Sequence, residues 1–178
     1  MKTLKQHIDE ALKIGKNLSE WSSYSCQPKT RIELKEIVED RISKKGTNCD
    51  LNDIDTSLIT DMSWLFYKLK FNGDISKWNT SKVEKMDSMF SDSVFNGDIS
   101  NWDVSNVNGM SHMFARSKFN GDISDWNVSN VEDMKRMFYE SEFNQDISKW
   151  KINKDCDTRE MFDGCLIEEK YKPKSIQL

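Results

Sequence analysis

The apolar positions of this chain recur every 24 residues. The block Phe71-Asn72-Gly73-Asp74-Ile75-Ser76-Lys77-Trp78 returns at 95–102, 119–126 and 143–150. A second block, Val83-Glu84-Lys85-Met86-Asp87-Ser88-Met89-Phe90, returns in phase at 107–114 and 131–138. Self-similarity at such a period marks an array of stacked units, none of which can bury its own apolar face. A degenerate copy comes first: residues 48–52 fit the Asn-Gly-Asp-Ile-Ser columns, Ile54 replaces the Trp, and Ile59, Met62 and Phe66 match Val83, Met86 and Phe90. The last copy keeps Trp150, Met161 and Phe162 but has Asp155 and Thr158 where Val and Met recur. Five turns therefore run over 47–166, with atypical outer copies as expected for the caps of an array.

Within each unit the pattern predicts two elements. Ser81 followed by Glu84 reads as a capping box, repeated by Ser129 and Glu132 and half-kept by Ser105 and Asn108. Val83, Met86, Met89 and Phe90 then mark one face of a short helix of roughly ten residues, ended by Ser91 and Ser93. The 71–78 block holds Gly73 and predicts a bend followed by a short parallel strand near 74–76. Stacked copies would lie ~4.8 Å apart, giving a rod about 24 Å long.

Three polar or aromatic columns carry alternatives. Asn48, Asn72, Asn96, Asn120 and Asn144 read as a buried ladder, since Asn both donates and accepts. A ligand site of stacked Asn is the other reading. Asp50, Asp74, Asp98, Asp122 and Asp146 either accept turn N–H groups as Asx caps or line up to bind cations. Trp78, Trp102, Trp126 and Trp150 pack as a stack along a corner or expose their faces as a carbohydrate platform.

Ahead of the repeats, Leu4, Ile8, Ala11, Leu12 and Leu18 predict an amphipathic helix over 1–18. Residues 19–29 read as a connector. Thr30 and Glu33 form another capping box, Leu34, Ile37, Val38, Arg41 and Ile42 make a helix face, and Gly46 is a stop signal. The organisation expected is 1–28 helix and connector, 29–46 capping helix, 47–166 repeats and 167–178 tail. The second helix covers the end of the repeat core. The first either packs on that cap or docks a partner.

Composition changes the picture in one respect. The hydrophobic fraction of 37% and mean hydropathy of −0.73 lean toward disorder, yet 11% of residues are aromatic, against the disordered signature. All nine Phe lie in two repeat columns, and eight of nine Met in two more. The core is thin and written once per repeat. A net charge of −4 provides no general footprint for nucleic acid. No run approaches the ~18 apolar residues of a membrane span. The N-terminus lacks the apolar core of a secretory signal, so no export route is visible and localisation stays open.

Candidate chemistry is sparse. Cys26, Cys49, Cys156 and Cys165 form no CxxC pair and read as buried free thiols, with one disulfide as the alternative. His7 and His112 have no evident nucleophile beside them. No phosphate loop, HExxH or GxSxG occurs. The expectation is no enzyme, no catalytic residue, no metal and no cofactor.

The columns Phe-Asn-Gly-Asp-Ile-Ser-x-Trp and Val-x-x-Met-x-x-Met-Phe resemble the BspA-like leucine-rich-repeat surface proteins, in particular the Mycoplasma-type repeat of unknown function. The resemblance covers 47–166, and residues 33–55 look like that family's helix-plus-first-turn entry. It implies an α/β, right-handed leucine-rich-repeat-like solenoid of about five 24-residue turns, with a short parallel strand and short helix in each and an N-terminal helical cap. It also implies protein binding or adhesion, often at bacterial surfaces, without catalysis. The expected function is a monomeric interaction scaffold, with a phage or virion accessory protein or a carbohydrate-binding adhesin as alternatives. Fixed columns hold the fold and variable ones are free to bind: Lys77, Asn101, Asp125 and Lys149 in one column, Ser88, His112, Arg136 and Glu160 in another. These eight are the candidate binding residues, and the expected partner is a protein.

Overall fold

The computed structural model describes residues 25–176. The predicted helix over 1–18 lies outside them. Among the described residues there is one α-helix, α1 (Arg31–Lys45), and one 3-10 turn, Glu169–Tyr171. α1 starts where its N-cap chemistry directs. Thr30 is extended, and its hydroxyl accepts the Glu33 N–H at 3.2 Å. Glu33 reaches back to the Lys29 N–H at 2.7 Å. The helix stops at Gly46, whose φ of 87° suits a residue without Cβ and whose N–H donates to Ile42. Leu34 and Val38 are buried.

The expected solenoid of strand-plus-helix turns is overturned. Residues 47–166 contain neither helix nor sheet. They form coils built of successive turns, joined by isolated parallel bridges 24 residues apart: Asp50 with Asp74, and Asp61, Lys85, Gly109, Asp133 and Asp157 in series. The longer series runs through the segment expected to be helical. The strand expected near 74–76 reduces to the single bridge at Asp74.

The hydrogen bonds explain why. In an α-helix every interior N–H is used within its own segment. Here Met86, Ser88, Phe90 and Asp92 donate to Gly109, Ser111, Met113 and Ala115 of the next coil at 2.8–2.9 Å. The intervening Met89, Ser91 and Ser93 close turns onto Met86, Ser88 and Phe90 at 3.2 Å. Overlapping turns of this kind space apolar side chains by three, as a helix does, so periodicity alone could not separate the two. The predicted capping box is absent as well. The Ser81 N–H and hydroxyl both bond Asn79 Oδ1, at 3.1 and 2.7 Å.

The turns require left-handed backbone at two positions per coil. One column is Trp64, Ser88, His112, Arg136 and Glu160. The other is Lys68, Asp92, Arg116 and Glu140, continued by Gly164. All nine non-Gly residues have φ of 50–63°, each at a cost of about 1–2 kcal/mol. The coil-to-coil bonds and the core offset that cost.

The core is columnar. Phe66, Phe90, Phe114, Phe138 and Phe162 stack at centroid distances of 5.4–5.7 Å. Phe71, Phe95, Phe119 and Phe143 stack at 6.1–6.3 Å. The two columns also meet each other within a coil, as in Phe114–Phe119 at 4.3 Å. Such pairs contribute about 0.5–1.5 kcal/mol each beyond area burial. Gly73 is needed where coils approach: a Cβ there would lie 2.0 Å from the Cys49 carbonyl oxygen.

The three ambiguous columns resolve as follows. Each Asn amide oxygen accepts the backbone N–H of the next column member at 2.8 Å, from Asn72 through Asn144. The ladder lies at the surface rather than buried: Asn72 and Asn96 are exposed. Asn48 is not part of it, because the Asn72 N–H goes to the Thr47 carbonyl. The Asp column makes Asx turns, Oδ1 of Asp74, Asp98, Asp122 and Asp146 each accepting the N–H two residues on at 2.9 Å. The Ser76, Ser100 and Ser124 backbone bonds hold the carboxyls of Asp74, Asp98 and Asp122 below their ordinary range. The Trp column is 4–5% exposed. Each indole N–H donates to a carbonyl of the preceding coil at 3.0–3.2 Å. That arrangement leaves no open ring faces for a sugar platform.

Candidate binding face

The left-handed turns form a ridge along the stack, because the same two positions recur in every coil. The ridge displays the column Ser88, His112, Arg136 and Glu160, and its members differ in environment. Ser88 is buried. His112 is half-buried, and burial, with Arg136 and Lys135 nearby, pushes its pKa down, so it is neutral at pH 7. Arg136 Nε and Nη2 both donate to Glu160 Oε2, at 2.8 and 2.5 Å, and the guanidinium lies 5.3 Å from the Tyr139 ring centre. Two of the four are therefore engaged with each other.

The other column is free of such ties. Lys77, Asn101, Asp125 and Lys149 are all exposed. Lys149 edges an open depression of about 680 Å³ that also takes in Trp150, Ile152, Lys151 and Lys174. A second depression, about 430 Å³, is polar and lined by Thr60, Lys82, Glu84, Asn106 and Asn108. The two variable columns are eleven residues apart in a 24-residue coil. Among the described residues no hydrogen bond, ion pair or ring contact joins them.

Sequence reasoning missed the second left-handed column. Lys68, Asp92, Arg116 and Glu140 alternate in sign. Arg116 grips Asp92 through Nε and Nη2, at 2.8 and 2.9 Å. That contact lowers the Asp92 pKa and raises that of Arg116. Aligning the repeats at this position would have revealed the alternation. Trp64 was also missed: it is 44% exposed and meets Tyr67 edge-on at 5.1 Å. It occupies the ridge position, where other coils carry Ser, His, Arg or Glu, and not the buried Trp column.

Reactive chemistry is little in view on this surface. All four cysteines are free, and burial pushes the Cys156 thiol up to about 11, away from the nucleophilic thiolate. Among the described residues no three His, Cys, Asp or Glu side chains are grouped to hold a metal ion, and no helix is long and apolar enough to cross a membrane.

Turn-built coils in strict 24-residue register define a repeat protein. Two overlapping segments, 33–140 and 91–172, match the family described as "Mycoplasma protein of unknown function, DUF285". The chain belongs to that family, which is associated with BspA-like repeat proteins. No curated protein and no solved structure matches the chain.

Proposed function

We propose that this chain is a non-enzymatic scaffold that binds another protein through a rigid face of the coil stack. The observation that carries the reading is the division between columns. Phe, Met and Trp columns are buried, Phe162 alone half-buried, while one exposed position carries Lys77, Asn101, Asp125 and Lys149, in turn positive, neutral, negative and positive. A face whose backbone is locked coil to coil loses little entropy on binding, so its variable side chains can supply specificity. The ridge beside Arg136 and Arg116 offers a second, charged surface on the same frame.

The test is an affinity capture with the full chain, a chain beginning at residue 29, and a variant carrying Lys77→Ala, Asn101→Ala, Asp125→Ala and Lys149→Ala. A specific protein retained by the first two and lost by the third is the expected result. Retention unchanged by the four substitutions would place the contact elsewhere. Capture of nothing specific by the full chain would end the interaction reading.

A further inference from the structure

Residues 167–176 run in register with the fifth coil along one side only. The Glu168 N–H donates to Asn144 Oδ1 at 2.9 Å, and the Ile147 N–H to the Tyr171 carbonyl at 3.0 Å, each pair 24 residues apart. The ridge side is not continued in this way. In the fourth coil the N–H groups of Met134, Arg136, Phe138 and Glu140 bond Asp157, Arg159, Met161 and Asp163 at 2.8–3.0 Å. Their fifth-coil equivalents, the N–H groups of Thr158, Glu160, Phe162 and Gly164, have no acceptor among the described residues.

On the continued side the register brings position 174 to the Trp column, and the residue there is Lys. Each earlier indole reaches back over the coil before it. Trp102, Trp126 and Trp150 donate to the carbonyls of Ile75, Ile99 and Ile123 at 3.0–3.2 Å. Lys174 has no ring to lay over Trp150, and the open depression of about 680 Å³ lies at this point. Buried Trp150 and half-buried Ile152 form its floor, and exposed Lys149, Lys151 and Lys174 stand around it. Neighbouring cations have carboxylate partners: Lys154 with Asp155, Arg159 with Asp157, Lys170 with Glu168 and Lys172 with Glu169, at 2.6–4.0 Å. Among the described residues the three lysines of the depression make no side-chain hydrogen bond or ion pair. Bonds from Ser148, and then the charge of Lys149, lower the pKa of Asp146, but that carboxylate is committed to its own turn, accepting the Ser148 N–H at 2.9 Å.

We propose that this depression receives an acidic peptide segment of the partner protein, its carboxylates on Lys149, Lys151 and Lys174 and an apolar side chain over Trp150 and Ile152. The inference rests on the scaffold reading and assigns the partner's chemistry at the C-terminal end of the exposed column, since Lys149 belongs to both. Three unpaired cations together are a local excess on a chain of net charge −4, and carboxylates supply the charge-assisted hydrogen bonds they lack. A peptide suits the site better than a nucleic acid. A nucleic acid draws its affinity from many phosphate contacts, and the exposed Asp74, Asp98, Asp122 and Asp146, three residues from the variable position in each coil, repel a polyanion laid along the stack. A short segment at the end of the stack meets Asp146 alone of that column, and it brings the apolar side chain that the floor matches.

The experiment is fluorescence anisotropy of the full chain against a labelled peptide with one Trp between two runs of Glu. The expected result is saturable binding with Kd of ~0.1–1 mM, weakened as salt rises. The same peptide with Gln in place of Glu binds at least about tenfold more weakly. A variant carrying Lys149→Gln, Lys151→Gln and Lys174→Gln also loses about tenfold, the order expected of three exposed charge contacts. A second variant, with Lys29→Gln, Lys70→Gln and Lys82→Gln at exposed positions elsewhere, binds as the parent does, which separates the site from net charge. Circular dichroism matching the parent confirms that both variants are folded. Absence of binding to the Glu peptide at several times ~1 mM overturns the proposal. So does equal binding of the Glu and Gln peptides, or an equal loss in the two lysine variants. A labelled oligothymidylate that binds more tightly than the Glu peptide and is lost with the three lysines would assign the site to nucleic acid and equally overturn it. A partner protein captured as well by the Lys149, Lys151 and Lys174 variant as by the parent overturns this inference and leaves the scaffold reading standing.

Discussion

The two ends of the coil stack are closed by different means. At the N-terminal end, α1 lays Leu34 and Val38 on the core, fully buried. Arg41 ties the cover down, reaching Asp53 Oδ2 at 2.8 Å and Ser25 Oγ at 2.7 Å. At the C-terminal end no α-helix intervenes among the described residues. Ile167 and Pro173 are buried, but Phe162 is only half-buried and Leu166 is exposed. The difference teaches what a cap needs. A helix satisfies its own backbone, so it can cover an apolar end while asking nothing of the edge beneath it. An irregular segment can cover only the columns its own hydrogen bonds reach.

Amide exchange is the broadest way to break this comparison. The Thr158, Glu160, Phe162 and Gly164 amides should exchange at least on the order of 100-fold faster than Met134, Arg136, Phe138 and Glu140, since exposed, unpaired amides lie at the low end of local stability. Equal protection would mean the C-terminal edge is covered. Next comes the core. Phe114→Ala should destabilise by about 4 kcal/mol in urea unfolding, because its ring is flanked by Phe90, Phe119 and Phe138. Phe162→Ala, with Phe138 as its ring neighbour, should cost about 1.5 kcal/mol.

The N-terminal cover gives a third comparison. Leu34→Ala should cost about 3 kcal/mol and raise exchange in the first coil ahead of the fifth. Asp53 is the fourth. Burial pushes its carboxyl up, but the bonds from Ser25 and Arg41 outweigh burial, and its pKa is lowered from 3.8. A carboxyl lowered in the fold contributes stability that is present above its unfolded value and is lost as pH falls through the folded one. Acid should therefore loosen the first coil below about pH 4. Asp53→Asn should cost about 1.5 kcal/mol at neutral pH and abolish that part of the acid dependence. The smallest effect belongs to the ridge. Arg136→Ala should change stability by at most ~0.5 kcal/mol, since both partners of its ion pair are well exposed. A larger loss in thermal unfolding would make the ridge structural.

Much of this was legible before any coordinates. Columns of Phe71, Phe66 and Trp78 identity were read as interior, and all but the half-buried Phe162 are. The Asp74 column was read as a possible Asx cap, and its turn N–H bonds follow that chemistry. The helix beginning after Thr30 and stopping at Gly46 follows from two local signals. The misreadings have a common origin. Val83, Met86, Met89 and Phe90 satisfy a helix and a run of turns equally well. The Asn column's location was not legible either, because its bonding does not depend on burial. Ser88 looked variable and therefore exposed, yet it is buried, while His112, Arg136 and Glu160 at the same left-handed position are not.

Sequence alone determined the period, the Phe, Met, Trp and Val83 core columns and the caps of α1, because each depends on side chains and on neighbours within a few residues. Tertiary structure decided where each backbone N–H goes. The Met86 N–H could have closed a helix turn or crossed to Gly109, and no residue near Met86 states which. The answer lies 23 residues away, in a carbonyl that becomes available only once the next coil has stacked. The same reason leaves the last coil, with no successor among the described residues, holding four donors that its own sequence cannot satisfy.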